Sequence, residues 1–227
     1  APFGPTRDAA RALGGTLNTA FLAAAADAAG RYHRELGAPV DQLRASMAIS
    51  TRTETSGNNA FTLARMLVPT GEMSMAERFR AITDASTQAR ESSSTASLET
   101  LAAVAAALPT SLITRLARQQ AHTVDFATSN VRGAPVPMYV AGAQLLENYP
   151  VGPLGGVAYN LTLLSYNHSL DMGVNLDTAA VTEPELLRRC LEQAFASLLD
   201  EAAPKPAAKP RAKRAPAKRP PAKRQSR

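Results

Sequence analysis

Two kinds of hydrophobic spacing divide the chain into predicted strands and helices. Short aliphatic and aromatic runs bounded by Gly, Pro or polar loops are typical of strands. This pattern predicts strands at residues 43–51, 61–68, 161–166 and 170–176. Apolar residues that recur every three or four positions predict helices. The predicted helices are 5–13, 16–36, a helix starting at 74, a helix starting at 109, and 184–199.

The stretch from Thr128 to Tyr166 is the part richest in strand and turn signals. Its apolar runs are broken repeatedly by Gly and Pro, which predicts successive strands and turns. We expect this stretch to form the core of the sheet and its turns to form the walls of a site. Together with the helices, it predicts an α/β fold, a mixed β-sheet with helices packed mainly on one face.

Capping signals define the ends of three predicted helices. Thr16 is expected to cap the second helix, and Ser74 the third. Thr182 and Glu185 have the spacing of a capping box for the last helix. Between the two first strands, the polar residues 52–59 are predicted to form an exposed loop.

The composition is that of a globular protein, with 45% hydrophobic residues in 227. No stretch has the 18 or more apolar residues of a membrane span, and no secretory signal is visible. The single cysteine, Cys190, cannot form an internal disulfide, which suits a reducing cytoplasm, and we expect a small buried hydrophobe there. These features predict a cytoplasmic protein, peripheral at a membrane or lipid droplet if a surface contact exists.

The positive charge is concentrated in the C-terminal tail. Ten Lys and Arg and one Glu lie beyond residue 200, a charge of +9, so the 200 residues before it carry −3 of the total of +6. We therefore divide the chain into a domain, 1–200, and a disordered basic tail, 201–227. The tail suits anionic lipid head groups, DNA phosphates, or a purely solubilising role, whereas the domain is not expected to bind nucleic acid.

A second candidate for a lipid contact is the helix after Pro109. Its apolar side carries Leu112, Ile113 and Leu116, and arginines lie opposite. Such a helix either lies on a membrane surface or packs on the core with a solvated basic face.

Four motifs resemble a known family. Ser-Asn-Val-x-Gly, Pro-Met-Tyr-x-Ala-Gly, Tyr-Pro-Val-Gly-Pro-Leu and Leu-Leu-Ser-Tyr occur in this order between 129 and 166. This order resembles the C-terminal domain of the bacterial wax ester synthase/diacylglycerol acyltransferase family, which has the CoA-dependent acyltransferase fold. The likeness covers about residues 11–200. The central segment departs from it at two positions, because Arg132 and Ala134 stand where the family favours prolines, and Thr19 replaces the Asp that follows the family's counterpart of Asn18.

The resemblance implies transfer of a fatty acyl group from CoA to diacylglycerol or a long-chain alcohol, for triacylglycerol or wax ester synthesis. It implies no cofactor, since acyl-CoA is a substrate, and no metal. The residues that it places along the substrate tunnel are Asn18, Asn130, Gly133, Ser165 and Tyr166. Asn18 has an alternative role in bonding the helix end, because it lies in the first helical turn.

The general base of this family is absent from the chain. The family uses a His-His-x-x-x-Asp-Gly motif in its N-terminal domain, where a histidine takes the proton of the attacking alcohol. The three histidines here, His33, His122 and His168, are unpaired, and His168 lacks the motif spacing. We therefore expect a C-terminal part that is inactive alone and pairs with an N-terminal acyltransferase domain or a homologous subunit.

The alternative is a non-catalytic interaction module, or a module that anchors at a lipid droplet or membrane. Other chemistries lack support, because there is no phosphate-binding glycine loop, no cluster of metal ligands and no Gly-x-Ser-x-Gly nucleophile motif.

Overall fold

The computed structural model describes residues 1–50, 61–93, 111 and 123–202. The helices in these residues are α1 Phe3–Ala12, α2 Leu17–Glu35, α3 Met75–Ser93 and α4 Pro184–Ala202. The strands are β1 Gln42–Ser50, β2 Phe61–Pro69, β3 Phe126–Arg132, β4 Tyr139–Val140, β5 Ala143–Gln144, β6 Tyr159–Tyr166 and β7 Ser169–Leu176. The predicted loop 52–59, the helix after Pro109, His122 and the tail from residue 203 lie outside these ranges.

Five strands form one mixed sheet in the order β2-β1-β3-β6-β7. The three central strands β1, β3 and β6 run parallel, and each edge strand is antiparallel to its neighbour. The strands β1 and β3 pair only from Ala45–Phe126 to Met47–Thr128, whereas β6 and β7 pair along their whole length. The mixed sheet predicted from the sequence is confirmed.

The helices cover one face of this sheet, as predicted. Along β2, the alternate residues Ala64, Met66 and Val68 are buried towards the helices, whereas Leu63 and Leu67 are more than half exposed on the other face. The helix α2 packs against α1, α3 and α4, and its run of alanines is completely buried because small side chains let helices approach closely. Cys190 on α4 is buried as predicted, and burial raises the pKa of its thiol.

Among the residues that the structure describes, Arg78 of α3 is the largest side chain that is completely buried. Its guanidinium lies 3.2 Å from a carboxylate oxygen of Asp27 on α2, and it donates to the carbonyl oxygens of Pro69 and Gly71. The other Asp27 oxygen accepts from Arg31 at 2.7 Å. Burial lowers the pKa of Arg78, and the charge of Asp27 opposes that shift. This buried charge network ties α2, α3 and the end of β2 together.

Two predictions for local structure were wrong or imprecise. The last helix begins at Pro184, so the expected capping box of Thr182 and Glu185 is out of register, and the Glu185 carboxylate instead accepts from Arg188 at 2.8 Å. Residues 137–154 are not successive sheet strands. They leave the sheet after β3 and contain only the short hairpin β4–β5. The cap at Ser74 is confirmed, since its hydroxyl accepts from Glu77 N at 3.2 Å.

No helix in the described ranges is both long and apolar enough to cross a lipid bilayer.

Arg44 of β1 forms an ion pair with Asp125, which lies just before β3. This pair makes the stability of the fold depend on pH. Burial alone would raise the pKa of Asp125, but hydrogen bonds from the Arg44 side chain and backbone amide outweigh it, so that this pKa is lowered from 3.8. A lowered folded-state pKa contributes stability that is present above the unfolded value and lost as the pH falls through the folded one.

We therefore expect the Asp125→Asn variant to lose stability at neutral pH, and to lose less than the wild type as the pH falls below about 4. Urea unfolding between neutral and acidic pH measures both curves. A constant difference between the two proteins across this range would contradict the assignment.

Candidate functional site

Within the described residues, a cleft of about 1330 Å³ runs along the parallel strands β1, β3 and β6 and reaches the carboxyl ends of β3 and β6. The first turns of α1 and α2, the turn after β3 and the β6–β7 turn form its rim. Ligands of proteins with open parallel sheets commonly bind outside the carboxyl ends of the strands. All five residues that the sequence predicted for a tunnel wall line this cleft: Asn18, Asn130, Gly133, Ser165 and Tyr166. Their contact with a substrate remains a prediction.

Asn18 faces the sheet instead of capping its helix. Thr16 caps α2, because its hydroxyl accepts from Thr19 N at 3.2 Å. The Asn18 amide nitrogen lies 2.6 Å from the sulfur of Met47, and the Asn18 oxygen accepts from the Asn130 amide at 3.5 Å. The two amides therefore form one polar edge of the cleft, and the helix-capping alternative for Asn18 is wrong.

Gly133 and Ser165 hold the turn after β3 against β6. The backbone N–H of Gly133 donates to the Ser165 hydroxyl at 3.2 Å. A Cβ atom at position 133 would lie 2.3 Å from the Ser165 carbonyl oxygen, a distance that real side chains do not tolerate. The carbonyl of Ala134 accepts from Asn167 N at 2.9 Å. Backbone hydrogen bonds thus fix a turn in which the expected prolines are missing.

Tyr166 lines the cleft, and its hydroxyl bonds a neighbouring segment. The hydroxyl accepts from Met138 N at 2.9 Å and donates to Leu145 O at 2.7 Å. It thereby joins both ends of the β4–β5 hairpin, which we call the arm (residues 136–146). The arm exposes five large apolar side chains: Val136, Met138, Tyr139, Val140 and Leu146.

A second segment, the strap (residues 148–153), crosses the outer face of β6 and β7. Side chains of the sheet hold it, since Asn160 donates to Pro153 O at 2.7 Å and Asn175 donates to Gly152 O at 2.9 Å. Pro153 and Asn160 also line the cleft, so the strap closes one side of it. The sequence analysis missed Asn160. The signal for it was an Asn directly before the apolar run from residue 161, because a polar side chain in a buried strand needs a hydrogen-bond partner.

The histidines in the described ranges do not form a pair. His168 lies at the β6–β7 turn on the rim of the cleft, with a φ of 68°, and its carbonyl accepts from Phe3 N at 3.0 Å. His33 lies on α2 against the ring of Tyr32, at 6.1 Å between ring centroids. No group of three or more His, Cys, Asp or Glu among the described residues could hold a metal ion.

Comparisons with known proteins give a consistent picture. Residues 57–199 match the family described as WS/DGAT C-terminal domain. A Mycobacterium tuberculosis (strain H37Rv) protein named as a diacylglycerol O-acyltransferase is 33% identical over 193 residues, which are 84% of this chain and 39% of that protein. Tgs4 of the same strain, also named as a diacylglycerol O-acyltransferase, is 29% identical over 216 residues, covering 88% of this chain and 44% of Tgs4.

Solved structures extend the likeness to the fold. The wax ester synthase/diacylglycerol acyltransferase from Marinobacter aquaeolei VT8 has a TM-score of 0.67 and 25% identity, over 89% of this chain and 47% of that one. The nonribosomal peptide synthetase FmoA3 has a TM-score of 0.61 at 13% identity, over 91% of this chain and 21% of that one, which shows a shared fold alone. The chain spans about two fifths of the length of the curated relatives it matches.

Proposed function

Because the chain belongs to the WS/DGAT C-terminal domain family, we propose that it is the C-terminal part of an acyl-CoA-dependent O-acyltransferase. The complete enzyme moves a fatty acyl group from CoA to diacylglycerol or a long-chain alcohol. One observation carries this proposal: a single cleft gathers all five residues that the family pattern marks as a tunnel wall.

The proposed reaction forms one C–O bond and breaks one C–S bond. The acceptor hydroxyl loses its proton to a base and attacks the thioester carbonyl, and the thiolate of CoA leaves and takes up a proton. Histidine is the base that the family motif supplies, and the residues of this chain bind and orient the substrates. No metal or redox cofactor enters this scheme.

Within this scheme, the paired amides of Asn18 and Asn130 orient the polar part of the substrates. Their N–H groups and oxygens are neutral, so they hydrogen-bond a thioester carbonyl or an alcohol without placing a charge beside an apolar acyl chain. The apolar outer side of the cleft, around Ala48, Leu63 and Val131, provides a surface for that chain.

The base would come from an N-terminal acyltransferase domain or a homologous subunit. Two features support such a partner. The relatives are more than twice as long as the matched region, and the arm and strap leave large apolar side chains exposed next to the cleft, with Leu146 78% and Val151 85% exposed. Apolar patches of this kind mark interaction surfaces.

The same exposed side chains support a second candidate, a non-catalytic module that anchors at a lipid droplet or an anionic membrane. There the apolar arm would contact the lipid, and the ten basic residues of the tail would add electrostatic attraction of about 1 kcal/mol each near an anionic surface. Stable attachment to a membrane generally needs two such signals.

Co-expression with the histidine-bearing half of the Marinobacter relative tests the proposed function. We expect no ester synthesis from palmitoyl-CoA and hexadecanol or diacylglycerol by the purified chain alone. With the histidine-bearing half we expect turnover, and Asn18→Ala should reduce it about tenfold or more, since it removes one positioning contact. Product formation measured by thin-layer chromatography reports both results.

The His168→Ala variant is the control for the source of the base. Activity of the chain alone that disappears in this variant would make His168 the base and overturn the two-part scheme. A stable complex of the two halves without any turnover would favour the non-catalytic module.

A further inference from the structure

Among the described residues that line the cleft, the side chains that can carry a charge near neutral pH are all bases. They are Arg7 on α1, Arg132 at the end of β3 and His168 at the β6–β7 turn. None of the described residues that line the cleft is Asp or Glu. A lining with only basic groups differs from the rest of the domain, since residues 1–200 carry a net charge of −3. The cleft is therefore complementary to an anion.

The two arginines are placed to receive a ligand. Arg132 is exposed, and no carboxylate in the described part of the chain lies within ion-pair distance of it. The guanidinium of Arg7 lies 5.6 Å from the centroid of the Phe3 ring, which also lines the cleft, so a cation–π contact holds it at the rim. Its contact with Asp8, at 3.6 Å, joins two solvent-exposed side chains and is weak.

We propose that Arg7 and Arg132 bind the phosphate groups of CoA at the mouth of the cleft. This inference rests on the proposed function, in which acyl-CoA is the only charged substrate: diacylglycerol and long-chain alcohols are neutral. Guanidinium groups match phosphate oxygens with two parallel hydrogen bonds, and such charge-assisted bonds are the strong ones. With the phosphates at the rim, the pantetheine arm extends inward toward Asn18 and Asn130.

The assignment also gives a role to a departure from the family pattern. Arg132 stands where the family favours proline, and the turn that follows is held by the Gly133–Ser165 hydrogen bond instead. Proline would offer no charge at this position. In this chain, the residue before Gly133 is thus a specificity element for the phosphorylated part of the donor.

Calorimetric titration of the purified chain with CoA and with pantetheine, which has no phosphate, tests the proposal. The wild type should bind CoA with a dissociation constant of about 1 mM or lower. The Arg7→Gln/Arg132→Gln variant should bind CoA about tenfold or more weakly, and pantetheine as the wild type does. Raising the salt concentration should weaken CoA binding to the wild type only, because screening acts on exposed charges.

Arg11→Gln is the matched control, because Arg11 lies one turn further along α1 and does not line the cleft. It should bind CoA as the wild type does. Wild-type CoA binding that the double variant retains, or a wild type that binds no CoA in this range, overturns the proposal. Arginine-dependent CoA binding by a chain that yields no ester with the histidine-bearing half would leave this inference intact and count against the proposed function.

Discussion

The Arg78→Ala variant should lose about 3–5 kcal/mol of unfolding free energy, a large part of the stability of a domain of this size. The substitution removes the cation beside Asp27, whose side chain is only 8% exposed, and leaves that carboxylate in a poorly solvated site with Arg31 as its remaining partner. It also removes the donors to the carbonyls of Pro69 and Gly71. Urea unfolding followed by circular dichroism measures the loss.

Two further variants separate the buried network from a general effect of removing arginine. Arg188→Ala breaks an ion pair of similar length with Glu185, but both of its side chains are more than half exposed, so the loss should stay within about 1 kcal/mol. Replacing Asp27 and Arg78 together by Leu and Met should recover part of the stability, because neither member of this pair is then left as a buried charge without the other. Equal losses for Arg78→Ala and Arg188→Ala would refute the role of burial.

The Gly30→Ala variant should also lose stability, by about 1–3 kcal/mol, although alanine is the better helix former. Gly30 lies within α2, and a Cβ atom there would come within 1.9 Å of the carbonyl oxygen of Thr70. Alanine gains about 1 kcal/mol in helix propensity at an unconstrained helical site. The clash with backbone atoms outweighs this gain, since Thr70 is fully buried and its carbonyl already accepts from Arg34 at 3.0 Å.

The helix α1 provides the matched control. Gly4 is also helical, and nothing lies within 4 Å of a Cβ atom built on it. Gly4→Ala should therefore raise the stability by up to about 1 kcal/mol. The same substitution should change the thermal transition in opposite directions at the two sites, and a shift of the same sign at both would contradict the close approach at Gly30.

The predicted elements that were right are those whose burial follows from local spacing. The apolar stripe of α3 needed no knowledge of distant residues, and Ser74 and Glu77 cap α3 within a single turn. Four of the five strands in the main sheet were predicted for the same reason. The sheet order itself depends on pairing across long sequence separations, such as Ala45 with Phe126, which no local pattern contains.

The site residues that came from the family pattern lie together, but their roles could not be derived from the sequence. The spacing of Tyr166 does not reveal that its hydroxyl bonds the arm 21 and 28 residues away. The burial of Arg78 could not be predicted for a related reason, because an arginine on a helix usually lies in solvent. Its burial requires Asp27 and two free carbonyls, which only the assembled fold brings together.

The short pairing between β1 and β3 marks where we expect the sheet to open most easily beside the cleft. Within the described residues, these two strands share backbone hydrogen bonds over a much shorter length than β3 with β6 or β6 with β7. Ser46 and Ala127, which lie opposite each other in that pairing, both line the cleft. Local opening costs the least free energy where few hydrogen bonds and buried contacts hold an element in place. We therefore expect these two strands to part before the fully paired strands β6 and β7, and their separation to widen the cleft.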